Sequence, residues 1–151
     1  MLTSVHLLTG AAMGKLTGNP WSAVFISYTL HHLLDAVPHY NPKNVKGHLE
    51  NGIKKLDKKD VALKSIEPAI GILVTLYLIF SNMTDIRVPM ILGSIFGWLP
   101  DLFVFLNWKF KNKITRIIVK IEKRFHKHTT FWPGILPQIA IVVIAILILL
   151  R

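Results

Sequence analysis

The chain contains no cysteine, which excludes disulfides, thiolate zinc sites and a cysteine nucleophile. Any metal it binds must be held by His, Asp or Glu. Acidic residues are scarce, 8 Asp plus Glu against 18 Lys plus Arg, for a net charge of +10. Charge of either sign is thin at 17% of 151 residues, while 52% are hydrophobic. That length fits one domain and leaves no room for a second large one. The opening stretch MLTSVHLLTGAAMG lacks a basic leader and an obvious cleavage site, so the first segment is expected to stay in the mature protein. No G-x-S-x-G nucleophile motif, internal repeat or low-complexity tract occurs.

What is present is unevenly spread. The charges gather in two tracts, and between them lie apolar runs of roughly 17 to 22 residues, about what a helix needs to cross the hydrocarbon core of a bilayer. Five such segments can be marked, at 2–18, 21–38, 66–83, 88–108 and 131–150. The expectation is an all-α, polytopic membrane bundle, one membrane domain over 1–151, with about five membrane-embedded helices plus one interfacial amphipathic helix. The first segment is the most polar, with Thr3, Ser4, His6, Thr9 and Lys15, yet Gly10, Gly14 and Gly18 recur every fourth residue. Small residues at that spacing give a smooth helix face that a neighbour can approach closely. A helix of this kind is expected inside the protein, not against lipid.

The loop 39–65 carries Lys43, Lys46, Lys54, Lys55, Lys58, Lys59 and Lys64 against Glu50, Asp57 and Asp60. The stretch 109–130 carries Lys109, Lys111, Lys113, Arg116, Lys120, Lys123, Arg124 and Lys127 against Glu122 alone. Only Lys15, Arg87 and Arg151 lie elsewhere. The positive-inside rule puts both tracts in the cytoplasm, with the N-terminus inside, the turns at 18–20 and 84–87 outside, and the C-terminus outside a bacterial-type inner membrane. Within the second tract, Phe110, Ile114, Ile117, Ile118, Ile121 and Phe125 follow helical spacing, with cations between them. This predicts an amphipathic helix over 109–128 lying in the headgroup plane on anionic lipid. The lysine loop has no interleaved aromatics for base stacking, so nucleic acid ranks below the membrane as the anionic partner.

The second segment ends H-H-L-L-D-A-V-P-H. Spacing by four puts His31, Asp35 and His39 in one row if the helix persists through Pro38, with His32 to the side as an alternative to His31. Imidazole and carboxylate on one face suit a borderline divalent cation, zinc above all and manganese as an alternative. The assigned topology brings further ionisable residues to the same, cytoplasmic depth: His6, Asp101, His126, His128 and Glu67. Such residues are costly in a membrane and mark functional interiors. Asp101 is the sharpest, since Phe96, Trp98, Leu99, Leu102, Phe103 and Val104 flank it and a carboxylate there needs a cation or a donor. His128 continues the apolar stripe and is favoured over His126, which falls on the basic face. Glu67, before Pro68, reads as a helix-end residue, and His48 as solvated.

These motifs resemble a family. V-H-L-L-T-G, H-H-L-L-D-A-V-P-H, G-W-L-P-D and H-K-H-T together look like the small bacterial inner-membrane proteins known as membrane-bound metal-dependent hydrolases, across nearly the whole chain. The resemblance implies a polar site of His6, His31, Asp35, His39, Asp101 and one of His126 or His128. The family's H-R-x-x-T-H-S stretch stands here as H-K-H-T-T.

The leading expectation is a metal-dependent hydrolase whose site opens at the cytoplasmic headgroup level onto a lipid or isoprenoid phosphoester. His6, His31, Asp35, His39, Asp101 and His128 are the candidate ligands, with Asp101 or His6 left as general base. The runner-up is a non-catalytic metal-binding, transport or scaffold protein. A bundle this small would need to form a homo-oligomer to transport, and its outer turns offer only Asn19, Asn82, Asp85 and Arg87.

Overall fold

A computed structural model describes residues 1–40, 58–107, 112–127 and 129–151, with side chains left out over 58–64. The described residues are helical, without strands. We label the helices α1 (Thr3–Thr17), α2 (Pro20–Ala36), α3 (Lys58–Phe80), α4 (Arg87–Asn107), α5 (Lys113–Phe125) and α6 (Phe131–Leu150), with one 3-10 turn at Thr84–Ile86. Among the described residues, helix α3 takes in the end of the lysine-rich segment from Lys58, ahead of the apolar segment 66–83; 41–57, with His48, lies outside the described residues.

Local chemistry sets the joints. Gly18 ends α1 at φ +59, where its N–H donates to the Gly14 carbonyl (3.0 Å), a left-handed cap that favours glycine. Asn19 then caps α2, its side chain accepting from the N–H groups of Trp21 (3.0 Å) and Ser22 (3.1 Å), and Pro20 takes the first helical position. Gly18 is therefore a helix stop, and of the three glycines only Gly10 and Gly14 lie on the contact face of α1.

α1 is the central helix and packs against α2, α3, α4 and α6. Its largest interface is with α4, where Gly93 and Gly97 repeat the four-residue spacing of Gly10 and Gly14. A Cβ on Gly10 would overlap the Gly93 carbonyl, one on Gly14 the Pro89 carbonyl, and one on Gly97 the His6 carbonyl. Ser94 Oγ donates to the Leu7 carbonyl (3.1 Å) across the same seam, the kind of interhelical bond that holds helices together in lipid. At the far end of α1, Lys15 donates to Asn82 and to the Leu149 carbonyl, while Arg87 donates to the Phe80 and Asn82 carbonyls. Cations thus meet the C-terminal carbonyls of α3 and α6, which the helix dipole favours.

Polarity runs inside out. The apolar core is small, built on Leu8, Ala11, Ala12, Leu78, Ile79, Met90, Ala145 and Leu149, whereas His6, His31, Asp35, His39, Glu122 and Gln138 are all buried. Outward surfaces are apolar: Trp21 is 74% exposed, Tyr77 73% and Trp132 71%, and α6 also presents Leu136, Val143, Ile144 and Leu147. Two helices, Thr84–Asn107 and Phe131–Leu150, are long and apolar enough to cross a membrane. The expected count of about five spans is not supported by length and composition. α1 and α2 have 15 and 17 residues, α1 is polar, and α3 is apolar only over Ser65–Phe80.

The α1–α4 seam gives a sharp expectation. Gly10→Leu should cost about 3 kcal/mol or more by overpacking a backbone contact, whereas Gly18→Ala, with open space around it, should cost about 1 kcal/mol for its left-handed φ. Equal unfolding midpoints of the two variants in detergent titration would contradict this packing.

Candidate metal centre

One end of the bundle collects eight ionisable side chains from five places: His6 from α1, His31, His32 and Asp35 from the end of α2, Asp101 from α4, Glu122 and His126 from α5 and its C-cap, and His39 from the segment after α2. Two of them arrive by routes that differ from helical extrapolation. Val37 precedes Pro38, which disfavours helix at that residue, and α2 stops at Ala36 with Val37 extended (φ −70, ψ 131). The straight row of His31, Asp35 and His39 therefore breaks. His39 is instead brought back by backbone bonds, its N–H donating to the Lys127 carbonyl (3.1 Å) and its carbonyl accepting from Thr129 (3.1 Å). Gln138, fully buried in α6, donates from Nε2 to the Tyr40 carbonyl (3.0 Å) and holds that segment from below.

The second difference concerns the terminal histidines. α5 ends at Phe125, and His126 has left the helix (φ −67, ψ 106). Its ring accordingly turns to the cluster, with Nδ1 2.8 Å from Asp35 Oδ2 and Nε2 3.1 Å from His39 Nε2. The preference for His128 assumed that the helical stripe continued; His128 itself lies outside the described residues. Glu67 caps a helix end, but that of α1: its Oε1 accepts from the Ser4 N–H (2.8 Å).

Proton accounting shows what the cluster needs. His31 Nδ1 lies 2.8 Å from the Gly97 carbonyl, which can only accept, so that nitrogen carries the hydrogen. His31 Nε2 then turns a lone pair toward Glu122 Oε1 at 3.3 Å and Asp35 Oδ2 at 3.7 Å. His32 Nδ1 also approaches Glu122 Oε1, at 3.0 Å. These approaches are short, yet none has the angles of a hydrogen bond: His31 Nε2, His32 Nδ1, Asp35 Oδ2 and both Glu122 oxygens are buried without a hydrogen-bond partner. The other half repeats the theme, because His39 Nδ1 faces the Val37 carbonyl at 2.8 Å and its Nε2 lone pair points at His126. Acceptors that converge in this way require a cation between them, a proton or a metal ion. The carbonyls behind His31 and His39 fix ring orientation in the manner of outer-shell partners of metal ligands.

Among the described residues, four overlapping groups have all ligand atoms within 4.8 Å of one another: His6, His31 and Asp101; His31, His32 and Glu122; Asp35, His39 and His126; and His31, Asp35, Asp101 and Glu122. These buried groups could hold a metal ion. His6 Nε2 lies 3.2 Å from Asp35 Oδ1 and 4.0 Å from Asp101 Oδ2, and Asp35 Oδ1 also meets the Met1 α-amino group. Burial lowers the His39 imidazole to about 4, with help from that α-ammonium, which keeps it in the neutral, ligating form at pH 7. Burial alone would raise Glu122; with a proton as the cation on the facing His31 and His32 nitrogens, their contacts outweigh burial and hold it at about 2. Of the residues expected from sequence, the structure brings together His6, His31, Asp35, His39 and Asp101. Glu122, His32 and His126 join them. Glu122 is the largest omission, and its signal was available as the lone acid in a tract of eight cations.

Protein-family models, curated proteins and solved structures were all compared with this chain, and none matches.

If the convergent atoms form one metal centre, Asp35→Asn and Glu122→Gln should each reduce metal bound by purified protein to a small fraction of wild type. Asp85→Asn, an acid in the exposed turn before α4, should leave it unchanged. Elemental analysis decides this, and undiminished metal in Glu122→Gln would remove that residue from the centre.

Proposed function

We propose that this chain is an integral membrane, metal-dependent hydrolase that acts at the cytoplasmic headgroup level on a lipid or isoprenoid phosphoester. One observation carries the reading: three carboxylates and five imidazoles converge, short of positive charge, in a bundle whose outside is apolar and whose site end carries the cationic α5. A bound divalent ion, zinc or manganese, would supply a water of lowered pKa and polarise a phosphoryl oxygen.

The chain's own residues divide the rest of the work. Asp35 with His39 and His126, or His31 with Asp35 and Glu122, would hold the ion, the Val37 and Gly97 carbonyls orienting the His39 and His31 rings. Asp101, with 24% of its side chain exposed, is the carboxylate nearest to solvent and serves as general base, accepting the proton of the attacking water. His6 lies behind it and steadies its charge. A substrate anchored in the leaflet reaches this depth by lateral diffusion, and the basic surface concentrates anionic headgroups. The near-complete burial of His6, His31 and Asp35 favours the second reading, a non-catalytic metal-binding protein whose ion is structural, with every position filled.

Turnover separates the two. Asp101→Asn should keep metal and fold yet lower hydrolysis by about a hundredfold or more, the usual scale for losing a general base. Chelation should abolish activity, and zinc or manganese should restore it. A folded, metal-loaded protein that hydrolyses nothing across a panel of phospholipids and isoprenoid phosphates is a structural metalloprotein.

Orientation is testable in the same chain, because a cysteine-free sequence accepts single reporters cleanly. Lys113→Cys should react with a membrane-impermeant thiol reagent only after lysis. Met83→Cys, exposed at the opposite end of the bundle, should react in intact cells. The reverse pattern would invert the topology.

A further inference from the structure

α5 has three faces. The face toward the bundle is polar: Thr115 and Glu122 are buried, Thr115 Oγ1 donates to Asn107 Oδ1 (2.8 Å), and Glu122 enters the cluster described above. A second face is apolar and points away from the protein, with Ile114 64% exposed and Ile117, Ile121 and Phe125 also exposed. The third is cationic, carrying Lys113, Arg116, Lys120, Lys123 and Arg124, all exposed. The single acid of the helix is turned inward, so nothing on the outer faces offsets that charge. A large apolar stripe edged by cations matches the boundary of an anionic leaflet, where acyl chains meet phosphate. The two helices against which α5 packs, α2 and α4, also expose apolar side chains, Leu33 and Phe105 among them.

The two sides of this helix are joined by one backbone. Glu122 and its C-cap residue His126 belong to the metal centre, while Lys120, Ile121, Lys123, Arg124 and Phe125 on the same two turns face outward. We propose that the outer faces of α5 dock on anionic phospholipid and that this docking is coupled to the metal centre. Lipid on one face and metal on the other then each favour the seated helix, so each tightens the other's binding by the same factor. Although this rests on the metal reading of the cluster, it requires no turnover.

The protein is reconstituted in nanodiscs of phosphatidylcholine alone or with added phosphatidylglycerol, and zinc affinity is measured by competition with a chelating dye. Affinity should be about fivefold or more tighter with phosphatidylglycerol, within the usual range of site-to-site coupling. The triple variant Lys120→Gln, Lys123→Gln, Arg124→Gln should lose that difference while keeping zinc. In parallel, a fluorophore at Ile117→Cys should be quenched by lipids brominated on their tails. Equal zinc affinity in both discs overturns the coupling, and a difference that survives the triple variant places the lipid contact elsewhere and overturns it too. An absence of quenching overturns the docked face. No zinc in either disc would sink the metal reading and the coupling with it, but quenching at position 117 would still support the docking.

Discussion

Gly10 and Gly93 leave no room for a methyl group between their backbones, and that contact fixes the depth at which the rest of the site is assembled. With α1 pressed onto α4, the His6 carbonyl lies against Gly97, the Gly97 carbonyl meets His31, and the His6 ring comes between Asp35 and Asp101. Larger residues on either helix would separate these groups by more than a hydrogen bond can span. The glycines contribute little apolar area themselves. Their value is geometric, since interhelical attraction in lipid comes from close packing and polar contacts more than from burial.

That geometry would be unfavourable without a cation. Carboxylate oxygens from Asp35 and Glu122 face an imidazole lone pair in a buried space, and taking such groups out of water costs several kcal/mol per ion unless they are paired. The two outer-shell carbonyls prevent His31 and His39 from rotating to present N–H groups instead. Selecting rings that cannot satisfy their neighbours by themselves makes the centre dependent on a bound proton or metal, and it couples the occupant to the fold. His31 touches three elements through that one ring.

Much of this was legible in the sequence, for reasons that apply residue by residue. The repeat of Gly10 and Gly14, the helical stripes and the polar residues of H-H-L-L-D and L-P-D are local signals, and local signals survive folding. His39 and His126 were placed by extending helices through Pro38 and past Phe125, and both helices had already ended. Glu122 and Gln138 were missed because charge counting treats an acid among cations as surface, and a glutamine in an apolar run as tolerated. Only tertiary contacts reveal that each is the buried polar residue of its helix. The count of spans failed differently: segments read as 17 and 18 residues are helices of 15 and 17, and α3 is apolar only over Ser65–Phe80.

The burial of Glu122 has a cause of its own. In water the apolar face of an amphipathic helix points to the core, and that rule would seat Ile114, Ile117 and Ile121 inward and expose Glu122. In α5 the order is reversed: Glu122 is buried among polar partners while Ile114, Ile117 and Ile121 are exposed. Periodicity still locates such a helix, but it does not say which face is inside. The lone polar residue on an otherwise uniform face carries that information, since a buried charge persists only where something pairs with it. By that criterion Glu122 on α5, Asp101 on α4 and Gln138 on α6 all point the same way, toward the end of the bundle where His6, His31 and Asp35 meet.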